Sequence, residues 1–325
     1  TMPDNLHTLQ WTDEDYAKAA KQWGRQFLLM PIIGAAKTLQ YMTPVPGIRY
    51  KLALPTIEGK GQYAPYKADR KAAESTTIGF RELETQLGNL RIDFEPNLYA
   101  RMVLGLSAPT LGDGQAQAPT VKHVIASVMQ DVDQNLNYAL FDAVYNPAGN
   151  TTKDMFNGWG TILNSEISQG NITEDKGNLL KIQKSSITAA SAVDIAKEID
   201  RSCHPTLRDR DKYLFCDPDF ADKYNDGYLL THSGIAYNTK FNQFYVEGSN
   251  NKTTIVPLDC LAGTDKYIVT TKSNMLYGFD TMSDETRFEI KRFQPWVLTI
   301  AAAMFFGTQF YSIDQRFLKV VKLEQ

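Results

Sequence analysis

The chain has 325 residues, 43% of them hydrophobic, which is enough for a substantial core and would ordinarily be divided between two domains. A formal net charge of -3 supplies no overall positive field, so nucleic acid could be held only by a local patch. The three cysteines, Cys203, Cys216 and Cys260, are odd in number and lack ligand spacing, which favours a reducing compartment over a disulfide framework.

The sequence predicts no membrane segment. The opening TMPDNLHTLQ has neither the basic nor the apolar region of a signal peptide. The longest apolar run, WVLTIAAAMFFG at 296–307, is shorter than the roughly 20 residues that cross a bilayer, so we expect it to form buried core. Because Met2 follows Thr1, the chain start is either processed or altered, and the sequence leaves both open.

Residues 12–30 predict a short amphipathic helix. Thr12 can cap it, the acidic run that follows suits the positive end of the helix dipole, and Pro31 ends it. The apolar stripe consists of Tyr16, Ala19, Ala20, Trp23, Phe27 and Met30. Two interpretations remain: the helix packs on its own domain, or it is an arm that docks on a neighbouring molecule.

Residues 43–97 are rich in proline and lack a helical period, which favours strands. IRYKLAL at 48–54 alternates apolar and polar residues, and so do shorter pieces of 75–96. The intervening EGKGQYAPYKADRKAAE is basic and poor in large aliphatic residues, so it cannot build a core. We interpret it as the tip of a long two-stranded excursion that needs a partner surface, or as a mobile surface loop.

A Gly/Pro/Ala linker at 104–119 leads into the longest helical pattern of the chain, Pro119 to Tyr145. Its apolar residues recur every three or four positions, Pro119 suits a first turn, and Pro147 disfavours continuation. At 1.5 Å per residue the predicted helix is roughly 39 Å long, about twice the average length of a helix in a globular protein. This length indicates a helix with a structural role.

The middle of the chain alternates helix and strand, which predicts a compact α/β unit. We expect a helix over 185–201, a buried strand at Tyr213–Cys216 and a short helix in FADKYNDGYLL that stops near Gly227. The C-terminal third predicts strands in TTIVPLDCLAG, KYIVTTKSNMLYGFD, ETRFEIKRF and FLKVVKL, and no repeat of fixed period is present.

An enzymatic interpretation would begin with Cys203 and His204 and the acidic residues that follow them. Neighbours in sequence rarely form a catalytic dyad, because their side chains usually point apart. The four histidines show no metal-ligand spacing, and the patterns G-x-x-x-x-G-K-[ST], G-x-G-x-x-G and G-x-S-x-G are absent from the sequence. The acidic residues are Asp209, Asp211, Asp217, Asp219, Asp222 and Asp226.

In the order and composition of its predicted elements, the whole chain resembles the major capsid proteins of tailed bacteriophages and prophages, which share the HK97-type fold. The resemblance implies an α+β fold with an N-terminal arm at 1–44, an extended hairpin called the E-loop at 45–100, and a peripheral domain at 101–149 that contains a long spine helix. It further implies an axial α/β domain at 150–282, including FNGWGTILN and KYLFCDPDF, and a peripheral return with a closing strand at 283–325.

The same resemblance implies a structural subunit without catalysis, cofactor or metal. Pentamers and hexamers would form the virion shell in the cytoplasm of a bacterial host, with scaffolding and portal proteins as further partners. The shell would enclose double-stranded DNA without reading its sequence. Some members join a hairpin lysine to an asparagine of another subunit, and Lys60 or Lys67 is suitably placed. The expected subunit contacts are Trp11, Tyr16, Trp23, Phe27, Lys60, Tyr63, Tyr66, Lys67 and Arg70.

Two other functions fit parts of the sequence. One is a cytosolic cysteine or metal-assisted hydrolase that uses Cys203, His204 and the nearby aspartates. The other is a different phage structural or receptor-binding component, in which strands would dominate and the long helical pattern would be misleading.

Overall fold

The computed structural model describes residues 35–58, 66, 77–94, 119–231, 244–280, 288–294 and 297–324. In these ranges the chain forms two five-stranded sheets, a separate two-stranded hairpin, and helices that pack between and beside the sheets. Every helix in this part of the chain is too short or too polar to cross a membrane.

The helices and strands follow one another with short connections in most of the chain. The helices are α1 (Ala36–Leu39), α2 (Pro119–Asp142), α3 (Trp159–Ser168), α4 (Ala192–Arg201), α5 (Pro205–Arg208) and α6 (Pro218–Thr231). The strands are β1 (Thr43–Pro46), β2 (Lys51–Glu58), β3 (Thr77–Glu84), β4 (Gln86–Phe94), β5 (Leu179–Gln183), β6 (Lys212–Cys216), β7 (Thr253–Pro257), β8 (Lys266–Thr270), β9 (Met275–Phe279), β10 (Phe288–Gln294), β11 (Val297–Phe310) and β12 (Leu318–Glu324). Single 3-10 turns occur at 152–154, 184–186, 259–261 and 272–274.

The first sheet is built on β11, which pairs antiparallel with β9, β10 and β4, while β1 adds to β9 in parallel. Most of β11 is the apolar run that the sequence predicts to be core, and Ile300, Phe305, Phe306 and Phe310 are buried. The β-branched and aromatic residues of β11 favour an extended strand.

The second sheet has the order β5-β12-β8-β6-β7. Its strands β6 and β8 are buried along almost their whole length, as expected for strands covered on both faces. One face packs on the core that also contains α2 and α3, and the other packs on α4 and α6. The predicted α/β alternation of this part of the chain is therefore observed, together with the strand predicted at Tyr213–Cys216.

The run KYIVTTKSNMLYGFD, one of the predicted strand regions, contributes to both sheets. Its first half is β8 in the second sheet, its second half is β9 in the first, and the 3-10 turn 272–274 lies between them. Asn274 is buried in this turn and links the β8–β9 connection to the β11–β12 connection. Its side-chain amide donates to the Ser312 carbonyl at 3.0 Å and accepts from the Ser312 N–H at 2.8 Å.

Helix α2 confirms the longest helical pattern of the sequence but ends at Asp142, three residues before the predicted end. The backbone of the next residues bonds elsewhere: the Val144 N–H donates to the Lys153 carbonyl and the Tyr145 N–H to the Asn157 side chain. Trp159, at the start of α3, then packs on Phe141 with ring centroids 5.5 Å apart.

Three further boundaries differ from the sequence-based predictions. The strand expected at 48–54 begins at Lys51, because Tyr50 has a φ of 78° and interrupts the extended backbone. The helix expected from residue 185 begins at Ala192, since the Ser191 hydroxyl instead accepts from the Thr188 N–H in a turn. Helix α6 continues past Gly227 to Thr231, and Gly227 serves close packing on the Ala189 carbonyl rather than termination.

Candidate subunit-contact surface

The described part of the predicted excursion at 45–100 is a two-stranded antiparallel hairpin. Strand β2 pairs with β3 from Lys51↔Glu84 to Glu58↔Thr77, so eight residues of each strand run side by side. Tyr66 is the one predicted contact residue within the described ranges, and it is 91% exposed. The other predicted contacts lie outside the described residues: Trp11, Tyr16, Trp23, Phe27, Lys60, Tyr63, Lys67 and Arg70.

The base of the hairpin crosses the first sheet where two glycines face each other. Gly307 of β11 is paired with Gly278 of β9, and both lie under the connection from β3 to β4. A Cβ atom on Gly307 would stand 2.0 Å from the Glu84 carbonyl oxygen, and one on Gly278 would stand 2.9 Å from the Thr85 side chain. The pair therefore provides the space in which the hairpin backbone passes close to the sheet.

Arg81 of β3 holds the hairpin base to α3. Its guanidinium forms an ion pair with Glu166 at 2.7 Å and also donates to the Phe310 carbonyl and to the Gln309 side chain, both at 3.1 Å. The Arg81 and Glu166 side chains are largely buried, at 19% and 14% exposure. A charge-assisted contact that is this well enclosed fixes direction as well as position, because a guanidinium donates in a rigid fork.

Two further hydrogen bonds attach both hairpin strands to the end of β11. The Gln309 side chain donates to the Glu82 carbonyl at 2.8 Å, and the Tyr311 hydroxyl donates to the Pro55 carbonyl at 2.7 Å. A small buried cluster of Ile48, Leu54, Leu83 and Leu276 fills the space beneath. The base of the hairpin is consequently held by burial and polar contacts together.

Tyr50 stands at the root of the hairpin in a left-handed backbone conformation that non-glycine residues adopt rarely. Its N–H donates to the Thr85 hydroxyl at 3.0 Å, and its carbonyl accepts from the Thr85 N–H at 2.6 Å. The ring is 69% exposed and makes an edge-to-face contact with Phe305. The two hydrogen bonds to Thr85 thus hold the strained backbone of Tyr50 in place, and in this conformation its aromatic ring lies at the surface.

Apolar side chains remain exposed along this region. Phe80 is 70% exposed on β3, and Leu87 is 58% exposed on β4. Together with Tyr50 they lie among exposed charges, since Lys51 of β2 pairs with both glutamates of β3. Exposed large apolar residues with charged neighbours are typical of a protein contact surface.

Cys203 and His204 do not form a catalytic pair. Burial raises the pKa of the Cys203 thiol to about 12, and the thiol donates to the Ile199 carbonyl at 3.3 Å. The His204 Nδ1 instead accepts from the Thr206 N–H at 3.2 Å, where it caps α5. A nucleophile requires a thiolate beside a base, and neither condition is met here.

Two of the nearby aspartates, Asp217 and Asp209, have structural contacts of their own. Asp217 accepts from the Asp219 N–H at the start of α6 and from the Gly263 N–H, each at 3.0 Å. Asp209 is paired with Lys252. Burial also raises the pKa of Cys216 and, to about 12, that of Cys260. No cluster of three potential metal ligands occurs among the described residues.

Sequence reasoning did not identify the residues that hold the hairpin base. Arg81 lies in an alternating strand pattern that is compatible with simple exposure, so its buried pairing with Glu166 could not be recognised. Gly307 did carry a usable signal, because a glycine within an apolar strand indicates close backbone approach. In AAAMFFG this glycine ends the run that the sequence predicts only as core.

Comparisons with known proteins identify the fold. No family model and no curated protein sequence matches the chain. A structure of the satellite phage P4 procapsid that includes the size determination protein matches with a TM-score of 0.55 at 12% identity, covering 96% of this chain and 90% of that chain. The capsid of the native GTA particle gives 0.54 at 10% identity, covering 90% and 97%. The SrpI encapsulin complex of Synechococcus elongatus PCC 7942 gives 0.52 at 9%, covering 88% and 86%.

These likenesses extend over nearly the whole of each chain and establish the fold. The chain has the HK97-type capsid fold that its sequence resembles, with mixed α and β structure. The assignment of β2–β3 as the E-loop and of α2 as the spine helix stays a prediction, as do the domain boundaries and contact residues.

Proposed function

We propose that this chain is the major capsid protein of a tailed bacteriophage or prophage. It would assemble from pentamers and hexamers into an icosahedral virion shell around double-stranded DNA, without catalysis or cofactor. The observation that carries the proposal is the fold-level match with three shell-forming proteins over 86% or more of every chain compared. Fold alone does not determine function, so the contact surfaces must support the same conclusion.

The hairpin supports it because its described part is buried on one face against its own subunit and exposed on the other. Leu54 and Leu83 face the small cluster under the base, whereas Phe80 lies on the exposed side. A two-stranded ribbon is marginally stable alone and requires a surface to lie on. We propose that a neighbouring subunit supplies that surface, and that Lys60, Tyr63, Tyr66, Lys67 and Arg70 of the tip make the contact.

The amphipathic segment 12–30 supplies a second contact in this proposal. Its stripe of Tyr16, Trp23 and Phe27, with Trp11 before it, would dock on another copy as an N-terminal arm. Scaffolding and portal proteins are further expected partners. The Lys60 or Lys67 cross-link to an asparagine of a neighbour is a separate prediction, and a ladder of covalent multimers on a denaturing gel of intact shells would reveal it.

The decisive experiment is assembly of the purified chain. We expect negative-stain electron microscopy and light scattering, across a series of concentrations and salt conditions, to show rings, capsomers or closed shells. Shells recovered from cells should contain DNA that resists nuclease until the shell is opened. A chain that stays monomeric under every condition would contradict self-assembly.

The hairpin can be tested separately with a matched pair of variants. Removing residues 60–72 should leave the fold intact, because the base contacts of Arg81 and Tyr311 lie outside the deletion, but should prevent shell formation. Substituting Lys223 of helix α6 by alanine leaves the hairpin sequence intact and should leave assembly unchanged. Normal shells from the deletion variant would refute the role of the tip.

A further inference from the structure

The edges of the two sheets differ in how they can meet another strand. Edge strand β1 reads TPVP, so two of its four residues have no N–H to donate. The outer side of β7 is covered by residues 244–246, where the Val246 N–H donates to the Thr253 carbonyl and the Ile255 N–H to the Phe244 carbonyl. These two edges are closed to a further strand.

Strand β10 is different. Within the described ranges it pairs only with β11, and its seven residues, FEIKRFQ, contain no proline. Within those ranges no other strand covers its outer side, so it presents strand backbone that can pair up to the irregularity between Arg292 and Gln294. Strand β5 is also an edge strand, but Lys181 is its one charged residue, so a second copy of β5 would offer it no opposite charge. Of these two edges, only β10 carries charges that could select a partner.

Two of the three charged residues on β10, Glu289 and Lys291, are placed so that the strand complements itself. Glu289 and Lys291 lie two residues apart, form an ion pair at 2.7 Å, and keep side-chain exposures of 40% and 61%. Residues two apart in a strand project from the same face. If a second β10 lies antiparallel with Ile290 opposite Ile290, each Glu289 stands directly across from a Lys291 of the other copy. A register centred on Lys291 would place like charges together instead.

Strand β4, at the opposite edge of the same sheet, has a comparable pair in Arg91 and Asp93. Asp93, however, already accepts a hydrogen bond from the Thr299 hydroxyl of the central strand. Its carboxylate is thus held within its own subunit, which favours β10 as the pairing edge and makes β4 a suitable control.

We propose that β10 is a homotypic contact in which two copies of this chain pair antiparallel about a twofold axis through Ile290. The inference rests on the proposed function, because a shell brings many copies of one chain side by side, and a twofold axis presents the same strand from both. The partner is a second copy, selected by two symmetric Glu289–Lys291 contacts across the strand boundary.

Cysteine pairing tests the register. Directly opposed residues of antiparallel strands have Cα atoms about 4.5–5.5 Å apart, within the range that a disulfide spans. Mixing the variants Glu289→Cys and Lys291→Cys under mild oxidation should therefore give covalent dimers. Each variant alone should not, since a residue and its own copy would be about 8 Å apart. Cross-linking of either variant alone, or none in the mixture, would overturn the proposed register.

Charge exchange tests the contact itself. Lys291→Glu places like charges across both symmetric positions and should weaken association between capsomers about tenfold. The exchange Glu289→Lys/Lys291→Glu should restore it, because each charge again meets its opposite. Arg91→Glu on β4 is the control and should have no effect. Equal loss in the single and double variants, or loss in the control alone, would refute the proposal.

The outcome is separable from that of the proposed function. Wild-type rings or shells that assemble equally well with Lys291→Glu would overturn the strand contact and leave the capsid role standing. A wild-type chain that never assembles would count against the capsid role, while the cysteine mixture at high concentration would still report the strand pairing.

Discussion

Asp133 of helix α2 has a carboxylate oxygen that no described residue meets with a hydrogen bond. Its side chain is partly buried, and within the described part of the chain its Oδ1 has no hydrogen-bond partner. Burial raises the pKa of this carboxyl from 3.8 to about 6. The folded protein therefore binds a proton more readily than the unfolded chain between pH 4 and 6. The ionised carboxylate of Asp133 destabilises the folded state, and this destabilisation is fully present above pH 6.

We expect Asp133→Asn to raise the melting temperature at pH 7.5, because asparagine removes the buried charge. The gain should shrink as the pH falls from 6 towards 4, where the wild-type carboxyl becomes protonated in the folded state. Asp131→Asn is the control, since it removes the same formal charge from an exposed position on the same helix. Thermal unfolding at several pH values measures both, and a gain that is independent of pH would contradict the explanation.

Asn274 shows what residue patterns cannot reveal. In sequence it is the last polar residue of a KSN turn between two strand-like runs, and nothing distinguishes it from a surface asparagine. In the structure it is buried and hydrogen-bonded to Thr270 and Ser312, which join the two crossings between the sheets. Such a role depends on which distant segment lies opposite, and local periodicity contains no information about that.

At the scale of elements, the sequence predicted those whose residues repeat regularly. Helix α2, strand β6 and most strands of the C-terminal third follow from apolar spacing, because burial on one or both faces imposes that spacing. Strand β11 is the exception, since the sequence predicts its apolar run only as buried core. Boundaries were less accurate where a side chain bonded to the backbone, as at Ser191, or where a backbone conformation was strained, as at Tyr50. The path of the hairpin over the sheet depended on contacts more than 200 residues apart in sequence, such as Arg81 with Phe310.

The crossing of the hairpin and the sheet gives a prediction at the element scale. Gly307→Ala would place a Cβ 2.0 Å from the Glu84 carbonyl, so the hairpin base must move away. We expect a loss of about 1–3 kcal/mol in the free energy of unfolding, the usual effect of overpacking. Faster cleavage within residues 51–84 by a protease should accompany it.

Gly79→Ala provides the matched control for this prediction. Gly79 also lies in a strand of the hairpin, but a Cβ there meets no atom within 4 Å. Its substitution should leave stability and protease resistance nearly unchanged. Equal effects of the two substitutions would show that the crossing at Gly307 has no special role.

The two sheets share one hydrophobic core, which determines how the whole molecule should unfold. Phe306 of the first sheet and Phe215 of the second are both fully buried in a single cluster with α2 and α3. The chain also crosses between the sheets at 271–274 and at 311–317, so neither sheet is a separate segment of sequence. Shared burial and interleaved connectivity both favour a single cooperative transition for the described core.

We therefore predict that Phe306→Ala and Phe215→Ala each shift the same unfolding transition, by about 3–5 kcal/mol, although they lie in different sheets. Phe220→Ala, in the cluster on the other face of the second sheet, tests whether that layer belongs to the same unit. For each of the three variants, the urea unfolding curves measured by near- and by far-ultraviolet circular dichroism should coincide. Two resolved transitions, with Phe215→Ala and Phe220→Ala affecting one and Phe306→Ala the other, would show that the sheets unfold separately. Coincident curves would instead mean that the hairpin base, which is bonded to β11, is supported by the packing of both sheets.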